Sequence, residues 1–134
     1  MPAIPAAQIP ETNGLLAVLP PAERERLYPH LEPVAMVLGD VVYESGSRQD
    51  YVYFPTTSIV SLLYVMEDGS SAEIAVVGNE GMVGVSLFMG GETTPSRAIV
   101  QSAGSAFRLS GQLLKREFIR AAEPVNKFET LAEA

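Results

Sequence analysis

The chain has 134 residues, no cysteine, a single histidine (His30), and a formal net charge of −7 from 16 acidic and 9 basic side chains. The lack of cysteine excludes disulfides and thiolate metal sites, and one histidine argues against a multi-histidine metal centre or a catalytic triad. The acidic surplus has the wrong sign for a protein that binds the phosphate backbone of DNA. We therefore expect a single non-catalytic domain without a metal or another cofactor.

The N-terminal third predicts short helices. Residues 1–11 contain three prolines and no basic residue, which is typical of a disordered tail and not of a secretory signal. Residues 13–19 predict a short helix with Thr12 or Asn13 as its cap, and residues 22–28 predict a second one. We interpret both as a cap on the domain and not as part of its core. No apolar stretch approaches the roughly 20 residues of a membrane span, so we expect a cytoplasmic protein with no membrane contact.

From residue 32 onward the apolar pattern changes to short β-rich runs separated by turns. Asp68 and Gly69 form a strong hairpin signal between two of these runs, because both residue types suit tight turns. Six to eight strands without intervening helices predict a mainly β fold, either an antiparallel sandwich or a barrel. The predicted strands are residues 34–38, 41–43, 51–54, 58–66, 71–77, 97–101 and 106–109.

Two further segments differ from the strands. Gly78-Asn-Glu-Gly-Met-Val-Gly84, the glycine loop, holds three glycines within seven residues, which predicts tight turns with positive φ and surface-facing amides. After the last strand, the sequence predicts a helix over residues 112–122, with Ser110 as its N-terminal cap. Four apolar side chains fall on one face of that helix: Leu113, Leu114, Phe118 and Ile119.

Several short motifs have a recognisable order and spacing: Leu15-Leu16-x-x-Leu19, Pro33 to Gly39, Tyr43-Glu-x-Gly46, Tyr51-Val-Tyr-Phe-Pro55, the glycine loop, Arg97-Ala98 and Ala106-Phe-Arg-Leu109. In this order they resemble the cyclic nucleotide-binding domain of Crp/Fnr-type transcription regulators. The resemblance covers residues 12–122. It implies a double-stranded β-helix (jelly roll) with short N-terminal helices, a C-terminal helix, and an effector pocket beside the glycine loop.

The phosphate cassette of that family has a Gly-Glu step, a short helix and Arg-Ser/Thr-Ala. Helix amides and the arginine hold the cyclic phosphate, and the glutamate accepts from the ribose hydroxyl. The resemblance places the glycine at Gly84 and the arginine at Arg97, with Val85 at the glutamate position. Valine cannot accept a hydrogen bond, so we predict a degenerate cassette with negligible affinity for cyclic AMP or GMP. The implied ligand-binding residues are Gly81, Met82, Val83, Gly84, Val85, Arg97 and Ala98.

The resemblance also implies a role for the C-terminal segment. In these regulators the helix continues into a dimer helix and a helix-turn-helix that reads the major groove. We expect residues 123–134 to be a truncated helix or tail, with DNA binding only in a longer parent protein that carries a helix-turn-helix. The chain is then a sensor-only relative or part of a regulator. We expect a homodimer through the four apolar side chains of the helix, and a small-molecule effector of unknown identity.

Simpler interpretations exist for each signal. The glycine loop could be a purely structural turn and Arg97 a solvated strand residue. Asp40, Glu44 and Asp50 are close in sequence and suit either a solvated face or a weak cation site. The aromatic side chains of Tyr43, Tyr51, Tyr53 and Phe54 suit a core more than an aromatic ligand box. The alternative function is a ligand-free jelly-roll module for interaction or dimerisation.

Overall fold

The computed structural model describes residues 8–48, 50–84 and 96–117. The strands are β1 Glu32–Met36, β2 Val41–Tyr43, β3 Tyr51–Pro55, β4 Ile59–Val65, β5 Ser71–Val77, β6 Ser96–Ser102 and β7 Gly104–Ser110. They form two antiparallel sheets, with the strand order β1-β7-β3 in the first and β2-β6-β4-β5 in the second. The prediction of a mainly β jelly roll is confirmed.

Short helices flank the sheets, as the sequence predicts. They are α1 (Gly14–Ala17), α2 (Pro21–Leu27) and α3 (residues 111–117), with 3-10 turns at Pro10–Thr12 and Tyr28–His30. The first of these turns spans the predicted boundary between residues 1–11 and the domain. No helix within the described part of the chain is long and apolar enough to cross a membrane.

The helix caps follow from local hydrogen bonding. Asn13 and not Thr12 is the cap of α1, since its Oδ1 accepts hydrogen bonds from the amides of Leu15 and Leu16 at 3.0 and 3.2 Å. Ser110 is the predicted cap of the C-terminal helix, and its Oγ accepts from the Leu113 amide at 3.5 Å. Each cap satisfies amides that have no partner within the helix.

Two clusters of buried apolar side chains lie on opposite faces of the β1-β7-β3 sheet. The helix-side core joins Val52, Phe54 and Leu109 of the sheet to Leu16 of α1 and Leu27 of α2. The interpretation of the two N-terminal helices as a cap outside the core is therefore wrong: both helices bury a leucine that completes it. The inter-sheet core fills the space between the sheets and consists of Met36, Val60, Val83, Ala98, Val100 and Ala106.

The β4–β5 hairpin forms at the predicted turn. Gly69 has a φ of +88°, and the amide of Met66 donates to the carbonyl of Ser70 at 2.8 Å. β5 is an edge strand, and its residues from Ser71 to Val76 are all exposed. β5 therefore forms one edge of the second sheet, and β6 and β4 are the interior strands of that sheet.

Candidate functional site

The glycine loop begins with a turn held by its own acidic side chain. The amide of Gly81 donates to the carbonyl of Gly78 at 3.3 Å, and the amide of Gly78 donates to Glu80 Oε1 at 3.1 Å. The hydrogen bond from the Gly78 amide lowers the pKa of the Glu80 carboxyl below its usual range. Of the three glycines, only Gly84 has a positive φ, at +110°. The prediction of positive φ is thus wrong for Gly78 and Gly81, because an ordinary turn suffices there.

A buried asparagine fixes the middle of the loop. Asn13 is fully buried, and its Nδ2 donates to the carbonyl of Gly81 at 2.8 Å and to that of Pro55, at the end of β3, at 2.9 Å. The adjacent amide of Gly14 donates to the carbonyl of Asn79 at 2.6 Å. One side chain therefore caps α1 and ties that helix to both the loop and the sheet.

The end of the loop lies directly on β3. Val83 and Tyr53 exchange two backbone hydrogen bonds, of 2.8 and 2.9 Å. A Cβ at Gly84 would lie 3.1 Å from the carbonyl oxygen of Tyr51 and 3.1 Å from a methyl carbon of Val52. Close approach and positive φ both require glycine here.

Arg97 lies in β6, on the face opposite to that of its sequence neighbours. Ser96 and Ala98 are buried, whereas 34% of the Arg97 side chain is exposed. Its Nε donates to Glu44 Oε1 at 3.1 Å, and its backbone pairs with Leu63 of β4. The alternation of side chains along a strand explains this placement. The arginine therefore forms a surface ion pair with an acidic residue 53 positions earlier in the chain.

The other predicted ligand-binding residues divide between the two cores. Val83 and Ala98 belong to the inter-sheet core, and Met82 packs against the helix-side core. The structure thus brings Val83 and Ala98 into one cluster, while the side chain of Arg97 faces away from it. Val85 lies outside the described residues. Ligand contact by these residues stays a prediction.

The predicted dimer face is described only at its start. Leu113 and Leu114 are half-buried and pack against the helix-side core of their own chain. Phe118 and Ile119 lie outside the described residues. The start of α3 therefore rests on the same cluster as the middle of the glycine loop.

The remaining candidate residues have separate surroundings. Glu44 pairs with Arg97, and Asp50 pairs with Arg48 at 3.5 Å, so these two carboxylates bind different arginines. His30 is exposed, as expected of a surface histidine. Within residues 8–48, 50–84 and 96–117, no group of three or more potential ligands is arranged to hold a metal ion.

The sequence of this chain matches the profile of a known protein family. The profile of the cyclic nucleotide-binding domain matches residues 34–120, which is more than half of the chain. The protein belongs to this family. No curated protein sequence matches it.

Solved structures share the fold at low sequence identity. The sensor domain of the transcriptional regulator DNR from Pseudomonas aeruginosa is 18% identical with a TM-score of 0.71, over 90% of this chain and 83% of that one. The Thermus thermophilus Catabolite Activator Protein is 18% identical with a TM-score of 0.66, over 89% and 56%. The regulatory subunit of a cAMP-independent protein kinase A from Trypanosoma brucei is 15% identical with a TM-score of 0.69, over 95% and 50%.

Two residues of the site were not predictable in their roles. The Asn-Gly-Leu-Leu pattern indicates the Oδ1 cap of Asn13, but its Nδ2 acceptors lie 42 and 68 residues away. Glu44 carries no local signal of its pairing with Arg97. Only the three-dimensional fold brings such distant residues together.

Proposed function

We propose that the chain is the effector-sensing domain of a Crp/Fnr-type transcription regulator with a degenerate phosphate cassette. In this proposal the protein is cytoplasmic, non-catalytic, and has negligible affinity for cyclic AMP and GMP. Family membership and the fold shared with a regulator sensor domain support the sensing role. The Trypanosoma brucei relative is described as cAMP-independent, so a domain of this fold need not depend on that nucleotide.

The observation that carries the proposal is the position of Arg97. Its guanidinium is bonded to Glu44 on the outer face of β6, while the buried face carries Ser96 and Ala98. A cyclic phosphate held by this arginine would have to displace a carboxylate. The ribose hydroxyl would also lack an acceptor at Val85, and an unpaired hydroxyl costs about 1–3 kcal/mol when buried.

The helix-side core offers a route from effector to output. Met82 of the glycine loop packs against this core, and so do Leu113 and Leu114 of α3. An effector with greater affinity for one arrangement of the loop would change the packing under α3. The signal then leaves the domain through its C-terminal helix.

Amide hydrogen exchange tests this coupling. Met82→Ala should lower protection in residues 111–117, because it removes loop atoms from the cluster on which α3 rests. Met66→Ala is the matched control, since Met66 is 44% exposed near the β4–β5 turn. The proposal is contradicted if Met82→Ala leaves exchange in 111–117 at the wild-type rate, or if Met66→Ala has an equal effect there.

The proposed partners are a small-molecule effector and a second copy of the chain. The homodimer would form through Leu113, Leu114, Phe118 and Ile119, and DNA would bind only a longer parent protein. Light scattering should give the dimer mass, and a monomer at high concentration would contradict it. A gel-shift assay should give no sequence-specific band, because the net charge of −7 opposes binding to phosphates.

A further inference from the structure

The four edge strands of the two sheets differ in how they are protected against pairing with another chain. An edge strand presents unpaired backbone N–H and C=O groups, to which another strand can bind unless proline, shortness or a covering segment prevents it. β1 contains Pro33, β3 pairs with Val83 of the glycine loop, and β2 has only three residues and an irregular register. Each of these three edges is therefore blocked or short.

β5 is the remaining edge, and in the described part of the chain only β4 pairs with it. It has seven residues and no proline, and five of the seven are apolar. Ile74 and Val76 are 59% and 47% exposed, and a bulge leaves Ile74 without a partner residue in β4. The N–H and C=O groups of a strand alternate between its two sides. Those of β5 that point away from β4 are therefore available to one further strand.

The charge around β5 is uniformly negative. Residues 49–96 contain six carboxylates and no lysine, arginine or histidine. Three of the six belong to the β4–β5 hairpin: Glu67 and Asp68 at its turn and Glu73 in β5. Among the residues that the structure describes, none of these three carboxylates is in an ion pair. A strand that adds to this edge is therefore favoured if it carries basic side chains.

A second copy of this chain is the alternative occupant of the edge. Antiparallel pairing of two β5 strands about Ile74 would bring Asp68 of each copy toward Glu80 of the other, because both residues lie six positions from Ile74. Parallel pairing in register would place the two Glu73 side chains beside each other. Like charges that face each other across neighbouring strands destabilise the pairing. The charge pattern therefore favours a different chain.

We propose that the β5 edge binds an extended segment of a partner protein as an additional strand, and that this segment combines apolar and basic residues. Its backbone would pair with β5, and its apolar side chains would lie beside Ile74 and Val76. Its basic side chains would meet the three carboxylates of the hairpin. This surface is separate from the glycine loop and does not depend on the proposed effector.

Nuclear magnetic resonance titration with a heptapeptide of alternating lysine and valine, blocked at both ends, tests the proposal. We expect saturable amide shifts in residues 71–77, with half-saturation at about 1 mM or below. The peptide with glutamate in place of lysine keeps the valines and the backbone, and should bind at least about tenfold more weakly. A third peptide, N-methylated at every residue, has no backbone donor and should lose at least as much.

Two results of this titration would overturn the proposal. One is the absence of saturation at about 5 mM of the lysine–valine peptide. The other is equal binding of either control peptide, because the glutamate peptide tests the charge and the N-methylated peptide tests the backbone pairing.

Exposure-matched variants locate the site. Ile74→Lys adds a positive charge to β5 and removes an apolar contact, so it should weaken binding of the lysine–valine peptide at least about tenfold. Val37→Lys is the matched control, since Val37 lies between β1 and β2 and is 58% exposed. It should leave affinity within about twofold. Both side chains are exposed, so both variants should fold. Equal affinities of the two variants would refute the β5 site, and would leave the proposed effector-sensing function intact.

Discussion

The two halves of the implied phosphate cassette differ sharply in how they are held. The segment Gly81–Gly84 is built into the protein: Asn13 fixes its start, β3 pairs with it, and its side chains enter both cores. Arg97 is instead held by one surface contact with Glu44. Exposed ion pairs contribute only about 0–1 kcal/mol. The arginine therefore contributes little to the stability of the fold, whereas displacement of the loop requires rearrangement of both cores.

The largest effect is expected when the loop loses its anchor. Asn13→Ala removes the α1 cap and leaves the buried carbonyl of Pro55 and the partly buried carbonyl of Gly81 without this donor, so it should reduce the free energy of unfolding by about 3 kcal/mol. Asn13→Ser keeps a capping oxygen and should cost less. Urea unfolding measures both. Equal losses in the two variants, or a loss below about 1 kcal/mol in Asn13→Ala, would argue against the anchor.

An intermediate effect is expected at the end of the loop. Gly84→Ala forces a positive φ on alanine and places its Cβ 3.1 Å from the Tyr51 carbonyl oxygen, which should cost about 1–3 kcal/mol. The matched control is Gly81→Ala, where φ is not positive and the nearest atom, 3.3 Å away, is a methyl carbon of Val77. Thermal unfolding should show clear destabilisation only for Gly84→Ala. Equal melting temperatures for the two variants would contradict the requirement for glycine at position 84.

The smallest effect is expected at Arg97. Arg97→Ala should change the free energy of unfolding by less than about 0.5 kcal/mol, because the ion pair with Glu44 is exposed. Glu44→Gln breaks the same pair and should match it in chemical denaturation. A loss above about 1 kcal/mol in either variant would mean that the pair is structural, and the contrast between the two halves would disappear.

The sequence predicts the local features of this fold well. Short β-rich runs bounded by turn residues place β2, β3 and β5 almost to the residue, and the hairpin turn at Gly69 is found where Asp68-Gly69 predicts it. Each of these depends on neighbours in the chain, so local propensity and turn chemistry determine it.

Features that depend on distant contacts were less predictable. The sequence pattern of the two N-terminal helices predicts a cap outside the core. In the structure, Leu16 and Leu27 complete the helix-side core, because β3 and β7 present an apolar face to them. For the site, the motif order locates Gly84 and Arg97. It does not indicate that the arginine faces outward, since that follows from the registry of β6 with β4.

Calorimetric titration of the chain with cyclic AMP tests the central claim most directly. The proposed degenerate cassette predicts no measurable binding at micromolar concentrations, because Arg97 lies on the outer face of β6 and Val85 cannot accept the ribose hydroxyl. A dissociation constant of about 1 μM that Arg97→Ala abolishes would contradict the claim, because it would show a working cassette built around this arginine.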